Sequence, residues 1–102
     1  MSRIKYTKQT ALEKIVAMGE MFKQQSAAGY WSAEDNARKI PEAQKNLVAA
    51  RKIYKAVRDY DAKTALPILR TELNTIGGIE GNFIRLVALD LYGVDVYALG
   101  AR

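Results

Sequence analysis

Apolar residues recur at intervals of three and four along four stretches of this chain, and those intervals predict four helices. The first runs from Thr10 to about Ala27, with Leu12, Ile15, Val16, Met18 and Phe22 on one face and Met21 widening the stripe. Thr10 with Glu13 three residues on is a capping-box pattern, and Thr7 is the alternative cap. The second takes Pro41 as its first helical residue, where the fixed φ fits and the missing N–H costs nothing, and stops near Tyr60. The third starts at Ala65 behind a Thr64 cap, so that Pro67 falls in the first turn; Leu66, Leu69, Leu73 and Ile76 then form a packing seam. The fourth, Phe83 to Tyr92, is apolar almost all round, which marks a buried helix, and Gly93 closes it.

The connections are less regular. Gly29 ends the first helix, and Ser32 with Asp35 repeats the capping pattern, predicting a short turn from Ala33 to about Lys39. Residues 77–82 form the one glycine-rich loop. No strand precedes it, no Lys or Ser/Thr follows at phosphate-loop positions and Glu80 would repel an anion, so it reads as a helix cap and turn. Asp59 and Asp61 read as turn formers rather than catalytic acids. After Gly93 the alternation of Val94, Val96 and Ala98 with Asp95, Tyr97 and Leu99 suits a short extended piece or one more helical turn.

The segment from Leu47 to Leu69 resembles a helix-turn-helix unit of the tetratricopeptide type, with small residues and Tyr54 on one helix and Ala65 on the next. Its turn is about two residues too long and no second copy follows. What the resemblance implies is an antiparallel helix pair.

The fold class expected is therefore all-α: a compact bundle of four main helices with a short extra turn between helices 1 and 2, and the Phe83 to Tyr92 helix at its centre. With 102 residues, 49% hydrophobic and 26% charged, the chain is a single helical domain over residues 1–102, and residues 1–8 read as a basic arm. Met1 to Lys8 is too polar for a secretory leader, and Phe83 to Leu99 too short and too charged to span a bilayer, so a cytoplasmic protein without membrane attachment is expected.

Charge singles out the second helix. Residues 37–58 carry +6, against +1 for residues 1–36 and −2 for residues 59–102. Around the helix axis Lys45, Arg51, Lys52, Lys55 and Arg58 fall within an arc of roughly 140°, opposite Leu47, Ala50, Ile53, Tyr54, Val57 and Tyr60. Only Val48 sits among the cations. Such a face suits a polyanion, and it also suits plain solubility.

Candidate chemistry is otherwise sparse. The chain has no cysteine and no histidine, which removes the usual thiolate and imidazole nucleophiles, disulfides and zinc sites. No catalytic residue, metal ligand or cofactor is expected, and the reading is non-enzymatic.

Two functions remain, both of them binding. In one, the Lys45, Arg51, Lys52, Lys55 and Arg58 face docks on an acidic surface, either nucleic acid or a nucleic-acid-handling protein complex. If nucleic acid binds, Lys and Arg of the second helix meet phosphates without reading bases, because the fourth helix lacks the polar side chains of a recognition helix. In the other, the chain is a regulator or inhibitor of one protein partner, of the kind phages and mobile elements encode. It would use Trp31, which otherwise plugs the bundle's end, together with Tyr97 and Leu99. That C-terminal apolar stretch is also a candidate for self-association into a homo-oligomer.

Overall fold

A computed structural model describes residues 4–27 and 32–96, and among them every regular element is helical: α1 (Lys8–Gln25), α2 (Ala33–Asp59), α3 (Ala62–Ile76) and α4 (Gly78–Tyr92). The four-helix, all-α bundle read from the sequence is the fold.

The first helix begins two residues before Thr10 because Thr7 takes the cap. Thr7 is extended, its hydroxyl accepts from the Thr10 N–H at 3.2 Å, and the Thr10 hydroxyl accepts from the Thr7 N–H at 2.9 Å. Thr10 thus stands at N3 of the box that Thr7 caps, and the box with Thr10 as cap and Glu13 at N3 does not form. Within the stretch read as a basic arm, Thr7 and Lys8 are the cap and first residue of α1, and Tyr6 lies on α4. The Tyr6 N–H donates to Asp90 Oδ2 at 2.8 Å, and its ring meets Phe83 edge-on at 5.5 Å.

The separate turn expected at Ala33–Lys39 does not exist as an element; it is the opening of α2. Ser32 caps it as the pattern predicted, accepting from the Asp35 N–H at 3.3 Å. The helix then runs through Pro41, which is its ninth residue and not its first. Proline can be carried there because the bond it removes, to the Ala37 carbonyl, lies on an exposed face of the helix. Pro67 repeats the solution in α3. Asp61, not Thr64, is the cap, accepting from the Thr64 N–H at 3.0 Å, and Pro67 stands sixth in the helix on an exposed face.

α2 is the helix on which the bundle is built, in place of α4. α1 and α3 lie along it, while α4 packs on α3 and to a lesser extent on α1, and makes no close backbone approach to α2. The inner side of α2 is lined by Ala43, Ala49, Ala50 and Ala56 with Ile53 and Val57, all buried. Short side chains let both neighbours come near. The seam of α3 is buried as expected at Leu66, Leu69 and Leu73, with Ile76 packed at its edge, and it meets Ile15 and Phe22 of α1 and Ile84 of α4 in one core.

The glycine-rich segment contains one residue of loop. Gly77 has φ 61° and ψ −172°, and α4 starts at Gly78, so Ile79 to Asn82 are helical. α4 is also less buried than its composition suggests: Ile84, Val87 and Ala88 are inside, whereas Ile79 is 85% exposed and Leu89 46%. Gly93 ends the helix in the left-handed conformation. The chain then returns to the core, where Val96 is fully buried and Arg85 of α4 holds Asp95 through two hydrogen bonds.

Candidate functional site

Since α1 and α3 flank α2, the outer side of α2 forms a crest between two clefts. Lys45, Val48, Arg51, Lys52, Lys55 and Arg58 are all exposed on it, Val48 to 49%. The arc drawn from the sequence is therefore a continuous surface. Its members differ in their availability, however.

Arg58 is held by its neighbour. Its Nε and Nη2 donate to the two carboxylate oxygens of Asp59, both at 2.8 Å, and its guanidinium lies 5.3 Å from the centre of the Tyr54 ring. The paired hydrogen bonds from Arg58 hold the Asp59 carboxyl below the usual carboxylate range, with Lys55 and Lys8 adding a weaker pull, and the same pairing raises Arg58. Lys52 leans toward Glu72 of α3, Nζ to Oε1 4.0 Å. Among the described residues no carboxylate lies within ion-pair distance of Lys45, Arg51 or Lys55. These three are the cations of the crest that make no ion pair among the described residues.

The clefts were not legible as such in the sequence. The α1 side is an open groove of about 260 Å³ floored by Ile15, Gly19, Leu47 and Ala50, with Arg51 and Tyr54 on its α2 wall. On the α3 side a shallow cleft of about 360 Å³ runs between Lys52, Lys55 and Tyr60 on one wall and Pro67, Ile68 and Glu72 on the other. Tyr54 and Tyr60 had been read as members of the apolar face. Tyr54 is only half-buried and Tyr60 is 37% exposed, so each places a ring at the edge of the basic crest. The available signal was their position at the two margins of the apolar arc.

Trp31, Tyr97 and Leu99 lie outside the described residues, and so does any surface they would form. No helix among the described residues is long and apolar enough to cross a membrane, and no cluster of three or more acidic side chains is gathered there as a metal site would require. The sequence matches no protein-family model, and no curated protein or solved structure was found to match the chain.

Proposed function

We propose that this is a binding protein whose α2 crest docks on a phosphate backbone. The observation that supports it is the trio Lys45, Arg51 and Lys55: exposed cations on one helix with no carboxylate within ion-pair distance among the described residues. A charge that serves only solubility can be placed anywhere, whereas here α2, Ala33–Asp59, carries +3 and gathers Lys45, Arg51, Lys52, Lys55 and Arg58 on its outer side. Each cation that meets a phosphate releases condensed counterions, so affinity falls with salt in proportion to the number of contacts.

The test is fluorescence anisotropy with labelled nucleic acids at about 50 and 200 mM salt. Three phosphate contacts predict a loss of affinity of roughly twenty- to fortyfold across that range. Reversal of Lys45, Arg51 and Lys55 to Glu should abolish binding at the lower salt. Absence of binding by the unaltered protein at the lower salt overturns the reading.

A further inference from the structure

Charge on the crest is not matched by charge on its flanks, and that difference bears on the form of nucleic acid. Of the α1 residues that line the groove and its continuation, Lys8 and Lys23 are offset by Glu13 and Glu20, and the charged α3 residue lining the opposite cleft is Glu72. One track of phosphates finds cations along α2. A second strand's phosphates, carried across either cleft, meet no net positive charge among the α1 and α3 residues that line it.

The shoulders instead offer rings and apolar floor. Tyr54 stands in the α1 groove beside Val16 and Leu47, and Tyr60 in the α3 cleft beside Ile68 and Pro67. An unpaired strand can part its charged backbone from its bases, and every base has a face that stacks on an aromatic ring whatever its sequence. We infer that the crest takes single-stranded nucleic acid, with phosphates on Lys45, Arg51 and Lys55 and bases turned into the flanking clefts against Tyr54 and Tyr60. This rests on the phosphate-docking reading of α2 and specifies its substrate class. Carboxylates in the clefts repel phosphate, so they reinforce the same division. Recognition of this kind does not depend on sequence.

The experiment compares an oligo(dT) single strand, a duplex of equal length and heparin across a salt series, for the unaltered protein and for Tyr60→Leu, Tyr54→Leu and Lys55→Glu. Tyr60 caps α2 at the surface, so Tyr60→Leu leaves the core intact; Tyr54 packs against the core, and thermal melting followed by circular dichroism checks that its variant is folded. The single strand should bind more tightly than duplex or heparin. Each tyrosine variant should weaken single-strand binding about tenfold at every salt concentration with the salt slope unchanged. Lys55→Glu should lower the slope by about one. Equal binding of all three ligands, with folded tyrosine variants unaffected and Lys55→Glu impaired, overturns the single-strand inference while leaving phosphate docking in place. No binding of any ligand overturns both.

Discussion

Arg58 and Asp59, adjacent at the end of α2, face each other through two hydrogen bonds of 2.8 Å, so the last cation of the basic face is already neutralised by its own chain. Replacing Asp59 by Asn removes one negative charge from the crest and releases the guanidinium. The Asp59→Asn variant should bind polyanions more tightly, and its affinity should fall more steeply with salt, by about one further phosphate contact. An anisotropy titration across a salt series measures both. A variant with unchanged slope would mean that Arg58 does not reach the ligand even when unpaired.

Gly77 and Gly78 turn the chain from α3 into α4 at positive φ, and Gly77 stands in a backbone region that is essentially closed to residues with a Cβ, although nothing lies within 4 Å of where that Cβ would be. Gly77→Ala should therefore cost about 1–3 kcal/mol through backbone strain alone. Denaturant unfolding measures it, and a neutral result would show that the junction can take another path.

Gly19 presents the opposite case. It lies inside α1 with ordinary helical geometry, and an added Cβ would rest 3.9 Å from Leu47 Cδ1, an ordinary contact. Gly19→Ala should raise stability by about 0.5–1 kcal/mol by restricting the unfolded chain. The methyl group also fills part of the α1 groove, so single-strand binding should weaken as thermal stability rises.

Tyr92, at the end of α4, has its phenol pushed above the ordinary tyrosine range by burial. Because the folded-state value is raised, the associated stability is present in full below the unfolded-state value, near 10, and is lost as pH rises through the folded one. Unfolding midpoints of the native chain should fall over that alkaline window. Tyr92→Phe should flatten the fall, and an ultraviolet titration of the two proteins identifies the late phenol.

The periodicity of the sequence carried the helices but not the order in which they pack. Leu66, Leu69 and Leu73 announced their burial because a single stripe of leucine on a polar helix has nowhere else to go. The choice of central helix failed for a physical reason. α4 is apolar overall, yet Ile79 and Leu89 face outward, whereas α2 earns its central place through alanines, whose small area gives little hydrophobic signal. The two prolines misled in the same way. Each was assigned to a helix start on local rules, and each stands inside a helix on an exposed face. Of the candidate site, the cationic arc could be drawn from spacing alone. Which cations are free depended on Asp59 and Glu72, one adjacent in sequence but fixed by side-chain geometry, the other contributed by α3. The clefts arise only when three helices are set side by side.

The alanine lining of α2 has a thermodynamic consequence. Because the helix sits close between its neighbours, in the proposed docking mode a strand lying over the crest with its bases in both clefts touches α1 and α3 as well as α2, and these three surfaces exist together only in the folded protein. Occupancy is then linked to the folding of the whole bundle: ligand at 100 times its dissociation constant adds about 2.7 kcal/mol to the unfolding free energy. The melting temperature of the untagged, unlabelled protein becomes a reporter of its own ligand.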